Sequence, residues 1–153
     1  MPKPALTFFC ELSSEKLTRL FDGRFVIDDL KGLDARLSMG ILDLTEERAA
    51  VVKRLNTAGV PVVAWLLLPE EEGYWFNIDN APQALDFYTG FKSWTKEHGL
   101  DWHGVGLDIE MDISDLRQVM NKQLIKKLLP ELLKRYKNRQ RILQAQDIYQ
   151  SLI

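Results

Sequence analysis

Four short apolar runs, each followed by a segment with helical hydrophobic spacing, restrict this 153-residue chain more than any other feature. The runs lie near residues 5–10, 36–43, 61–68 and 104–109. The third is the most telling, because Val60-Pro-Val-Val-Ala-Trp-Leu-Leu-Leu68 is apolar at nearly every position. Such continuity is expected of a strand buried on both faces of a parallel sheet, with Trp65 in the core. Pro61 at its first position breaks no ladder bond. Parallel strands cannot be joined by hairpins and need crossovers of a dozen or more residues. The alternation therefore predicts an α/β fold: parallel (β/α) units of the TIM-barrel type, four strands side by side in chain order.

The helical segments carry their own punctuation. Ser13 and Ser14 precede a helix over 15–21 closed by Asp22-Gly23, and Phe25, Val26, Ile27, Leu30 and Leu33 space as a second. Thr45 is an N-cap for 46–58, Glu46 and Glu47 suit the positive end of its dipole, and Gly59 supplies a left-handed stop. Pro82 opens a helix that ends at His98-Gly99. Beyond the fourth strand, Asp112 or Ser114 caps a helix through Leu128, and Pro130 begins another that continues through Ile148.

Hydrophobic side chains make up 46% and charged ones 27%, the composition of a globular protein. Residues 1–153 read as a single (β/α)4 domain, four of the eight units that a full barrel builds from about 250 residues. No apolar stretch approaches the roughly 20 residues of a membrane span. The N-terminus lacks a secretory h-region, and the lone Cys10 excludes an internal disulfide and suits a reducing compartment. A cytoplasmic protein with no membrane partner is the expectation. The net charge of −2 hides an asymmetry: residues 1–112 carry 11 basic and 19 acidic side chains, whereas 113–153 carry 9 and 3. Lys122, Lys126, Lys127, Lys134, Arg135 and Lys137 interleave with leucines at helical spacing. They read as the solvated face of amphipathic helices and not as a nucleic-acid surface.

Chemistry is sought where strands end. Glu11, Asp43 and the pair Asp108/Glu110 each close an apolar run just before a helix. Parallel strands would gather them at the carboxyl edge of the sheet, where α/β proteins place their sites. Tyr74, Trp75 and Asn77, in the loop after the third strand, leave at the same edge. Asp43 has an ordinary alternative as a capping residue beside Thr45. Asp108 and Glu110 are two residues apart, so alternation sets both on one face about 7 Å apart, where they repel unless something uses them. Such a pair can act as general acid and partner at a glycosidic bond, hold a hard divalent cation, or cap and salt-bridge without chemistry. No G-x-G-x-x-G or P-loop string is present. His98, His103 and Cys10 are too few and too scattered for a zinc site. No cofactor is expected, with a divalent cation left open.

The run His103-Gly104-Val105-Gly106-Leu107-Asp108-Ile109-Glu110 resembles the fourth-strand signature of chitinase-like glycoside hydrolases, D-G-x-D-x-D-x-E. The resemblance implies a (β/α)8 barrel whose final Glu protonates the leaving oxygen, assisted by the Asp two residues before. Gly104 matches the glycine, Asp108 the last Asp and Glu110 the acid, while His103 and Gly106 replace the first and middle Asp. On this reading Glu110 and Asp108 are catalytic, and Glu11, Asp43, Tyr74, Trp75 and Asn77 line a carbohydrate cleft. The rings of Tyr74, Trp75 and Phe76 would stack on a sugar, although a hydrophobic plug at a barrel end would use the same residues. Similar G-x-D-x-E strings occur in metal-dependent phosphodiesterase barrels. The missing middle Asp keeps another class open, an inactive barrel remnant that binds a carbohydrate or a protein. A four-stranded half leaves its edges uncovered, so a homo-oligomer or the remainder of a longer chain is expected to cover them.

Overall fold

The computed structural model describes residues 5–110 and 139–152. The described residues of Met1–Leu67 and Gly90–Leu107 form one compact unit, and those of Leu68–Thr89 and Asp108–Ile153 form another. The first unit holds β1 (Thr7–Cys10), α1 (Ser14–Phe21), α2 (Phe25–Gly32), β2 (Arg36–Ile41), α3 (Glu46–Ala58), β3 (Val62–Leu66) and β4 (Gly104–Leu107). In the second lie a 3-10 turn (Glu70–Glu72) and α5 (Arg139–Ser151), and α4 (Ala81–His98) runs from the second unit into the first. The helix expected over 112–128 and the basic face from Lys122 to Lys137 lie outside the described residues. Of the helix expected from Pro130, the part from Arg139 is described and is α5.

All neighbouring strands are parallel, in the order β1-β2-β3-β4. This is the α/β arrangement that the alternating periods predict, with each strand shorter than expected at one end or both. Among the described residues the sheet is open, with β1 and β4 as its edges. Four parallel strands in chain order with right-handed crossovers place the connecting helices on one face. The register identifies that face. Leu37 pairs with Val62, Met39 with Ala64, and Ile41 with Leu66, and all six are at most 3% exposed.

The other face reads differently. Phe9, Ser38, Val63 and Gly104 form one row across it, and Gly40, Trp65 and Gly106 form the next. Val63 and Trp65 are half-buried and Phe9 is 72% exposed. Burial on both faces, expected for residues 60–68, thus fails within β3, where it alternates. The side chain of Trp65 meets the ring of Phe9 edge-on at 5.8 Å instead of lying in the core. The run is continuously apolar, but among the described residues its second face leaves Phe9 exposed and Val63 and Trp65 partly exposed.

Local chemistry sets the limits of α3. Thr45 Oγ1 accepts from the Arg48 backbone N–H, satisfying one of the orphan donors of the first turn. Gly59 at φ 76° ends the helix, and its N–H returns to the carbonyls of Leu55 and Asn56. Between them Ala49, Val52 and Leu55 recur at helical spacing and are buried.

Candidate functional site

At the end of β2, Asp43 is the centre of a polar knot. Its Oδ1 accepts from Ser14 Oγ at 2.7 Å, Thr45 Oγ1 at 2.8 Å and Arg48 Nε at 3.0 Å, and its Oδ2 accepts from Arg48 Nη2 at 2.8 Å. Arg48 is fully buried, and its remaining donors go to the carbonyls of Gly40 and Leu12. Burial opposes ionisation of Asp43, but hydrogen bonds from Arg48, Ser14 and Thr45 and the guanidinium charge outweigh it. The carboxyl is held well below the usual carboxylate range. Such a group stays an anion and ties the start of α1 to the end of β2. Both oxygens face donors of the protein, so Asp43 is built into the scaffold.

Glu11 follows β1 in the same unit and is exposed. A Cβ built on Gly40 would lie 3.3 Å from Glu11 Cγ and 3.3 Å from Leu67 Cδ1. Glycine at this position lets the stem of Glu11 cross close over β2. Cys10 beside it is buried, and burial pushes its thiol up against the opposing charge of Arg48. A protonated, covered thiol is a packing group and not a nucleophile.

The second unit gathers the other residues singled out in the sequence. Gly73 at φ 101° and Tyr74 at φ 63° reverse the chain after the 3-10 turn, and the Tyr74 carbonyl accepts from Leu68 N–H. Phe76 then lies parallel to the segment beyond β4: its N–H donates to the Asp108 carbonyl at 3.0 Å, and its carbonyl accepts from Glu110 N–H at 2.9 Å. The pair Phe76–Ile109 fixes the register, setting Trp75 beside Asp108 and Asn77 beside Glu110. Tyr74 and Trp75 meet edge-on at 5.5 Å, and both are half-buried. Asp108 is half-buried and Glu110 exposed.

Asn77 is mostly spent on structure. Its Oδ1 accepts from the N–H groups of Asp79 and Asn80, and its own N–H donates to Asn80 Oδ1 at 2.7 Å. Asn80 Nδ2 donates to the carbonyls of Glu72 and Trp75. The two asparagines therefore clamp the aromatic loop just before α4. Tyr149 of α5 adds a third hold: its hydroxyl donates to the Asn77 carbonyl at 2.7 Å and its ring stacks on Phe76. Burial, partly offset by that hydrogen bond, pushes the Tyr149 hydroxyl up to about 12. Arg48, Asn80 and Tyr149 are the residues sequence reasoning missed. The Asn-x-x-Asn spacing ahead of Pro82 signals a local side-chain turn. Tyr149 has no such signal, since its partner is 72 residues away.

Tyr74, Trp75, Asn77, Asp108 and Glu110 thus belong to one unit, and Glu11 and Asp43 to the other. Among the described residues no group of three His, Cys, Asp or Glu side chains has the geometry to hold a metal ion. Among them, too, no helix is long and apolar enough to cross a membrane. No protein-family model, curated protein or solved structure matches this chain.

Proposed function

We propose that the chain is a glycoside hydrolase-like (β/α) half barrel that takes a carbohydrate at the Trp75–Asp108–Glu110 patch. The observation that carries this reading is the Phe76–Ile109 register, which sets an aromatic ring and an amide beside two carboxylates two residues apart. Glu110, exposed at the rim, is the general acid that delivers a proton to the leaving glycosidic oxygen. Asp108 is its electrostatic partner and favours the positive charge that develops at the sugar. Trp75 and Tyr74 offer apolar ring surface to a pyranose. Asn77 is buried, with its Oδ1 accepting two backbone N–H groups and its Nδ2 donating to the Trp75 carbonyl, so its part is to position the loop. Asp43 serves as the tie described above.

A second reading, carbohydrate binding without turnover, is favoured by Gly106, which stands where the resembled signature has its middle Asp. One set of measurements separates the two. Glu110→Gln should abolish turnover of an activated aryl glycoside and leave the thermal midpoint unchanged, because the side chain is exposed. Trp75→Ala should weaken oligosaccharide binding about three- to tenfold by removing ring contact. Binding that depends on Trp75, with no turnover in the wild type, selects the second reading. If the wild type neither turns over nor binds, both fail.

A further inference from the structure

We propose that Tyr149 is the positioning residue of the Trp75–Asp108–Glu110 patch, and that α5 is the strap that fixes the loop carrying Trp75. Calling that patch a binding site rests on the carbohydrate reading; the positioning itself does not. Every residue involved belongs to the second unit.

The backbone of Phe76 joins the aromatic loop to the segment bearing both carboxylates. Its N–H donates to the Asp108 carbonyl, and its own carbonyl accepts from Glu110 N–H. One bridge is a poor anchor for a register, since even a whole two-stranded hairpin is only marginally stable in water. Side chains hold the carbonyls on either side of it. That of Trp75 accepts from Asn80 Nδ2 at 2.9 Å and from Asn77 Nδ2 at 3.4 Å. That of Asn77 accepts from the Tyr149 hydroxyl at 2.7 Å. The asparagines are neighbours of the loop in sequence, whereas Tyr149 reaches it from another element.

Tyr149 grips Phe76 as well. The two rings stack with centroids 6.2 Å apart and planes 19° from parallel, and Phe76 is fully buried. The residue whose backbone sets Trp75 beside Asp108 is therefore held through its side chain by the same tyrosine that takes the next carbonyl. The rest of α5 supports that hold. Ala145 and Leu152, both buried, lie four residues before and three after Tyr149, on one helical face. Arg141 pairs with Asp79 at 3.4 Å, but both side chains are more than half exposed, and such a pair contributes little. The tyrosine is the specific contact. Burial keeps its hydroxyl protonated up to about 12, so it donates throughout the neutral range.

Hydrogen exchange followed residue by residue on the full chain tests this without a ligand. Tyr149→Phe keeps the ring and removes only the hydroxyl. The amides of Phe76 and Glu110 should then exchange about fivefold faster, the effect of losing one hydrogen bond. Amides of β2 and β3, in the other unit, should keep their wild-type rates, which separates a loosened loop from general destabilisation. Arg141→Gln should leave the Phe76 and Glu110 amides unchanged. A second signature comes from 5-fluorotryptophan at the four tryptophans. The Trp75 resonance, identified by its absence in Trp75→Phe, should shift in Tyr149→Phe while that of Trp65 stays. Unchanged exchange at the two amides, or a Trp75 resonance that does not move, would overturn the assignment. So would an equal effect of Arg141→Gln. If the wild type takes no carbohydrate, the carbohydrate reading falls, and these ligand-free outcomes still decide the role of Tyr149.

Discussion

Asp43 shows how a strand-end carboxylate acquires a role from its neighbours. The sequence marks it both as a cleft residue and as a cap, and the choice between them depends on Arg48 and Ser14. Because folding lowers its proton affinity, the stability it contributes is fully present above the usual value of 3.8 and is lost as pH falls through the depressed folded one. Urea midpoints should therefore drop between about pH 5 and about pH 2 in the wild type, and that drop should be shallower in Asp43→Asn. At neutral pH Arg48→Leu should cost on the order of 3 kcal/mol, since it strips the counter-charge from Asp43 and leaves the Gly40 and Leu12 carbonyls without their donor. A loss below about half a kcal/mol would show that the knot contributes nothing.

Elements are bounded here by chemistry that acts over a few residues. The limits of α3 follow from Thr45 and Gly59, and both are visible in the sequence. A Cβ at Gly59 would meet no atom within 4 Å, so Gly59→Ala tests backbone conformation alone. Its φ of 76° is disfavoured for residues bearing a Cβ, so the substitution should lower stability by about 1–2 kcal/mol with no change in the spectrum of the native state. The aromatic loop is a different case. Its hold comes from Asn80, Tyr149 and a single bridge to Ile109, and only the Asn77–Asn80 spacing lies within reach of a local reading. The continuously apolar third strand misleads for a related reason. Composition reports that a strand tolerates burial on both faces, whereas the number of covered faces depends on what packs against the sheet.

For the whole molecule, association of copies would make stability a function of concentration. If unfolding releases two chains from one dimer, the thermal midpoint should rise by a few degrees for each tenfold increase in protein concentration. A midpoint independent of concentration would mean that a single copy is self-sufficient.

The sequence by itself determined the fold class, the order of the strands and the places where helices start and stop. These rest on hydrophobic period, capping residues and the crossover requirement of parallel strands, all of which act along the chain. It also brought Asp108, Glu110, Trp75 and Asn77 forward as candidates, since strand ends and loop aromatics are legible in one dimension. Tertiary structure alone decided that Asp43 is locked by Arg48 and by Ser14, 29 residues away, and that Asn77 is held by Tyr149. It also decided that Phe76 carries the register beside Ile109, and that the ring of Trp65 meets that of Phe9 on the face opposite Met39 and Ala64. Each of these depends on which distant segments meet, and the energy of meeting belongs to the pair of segments and not to either one.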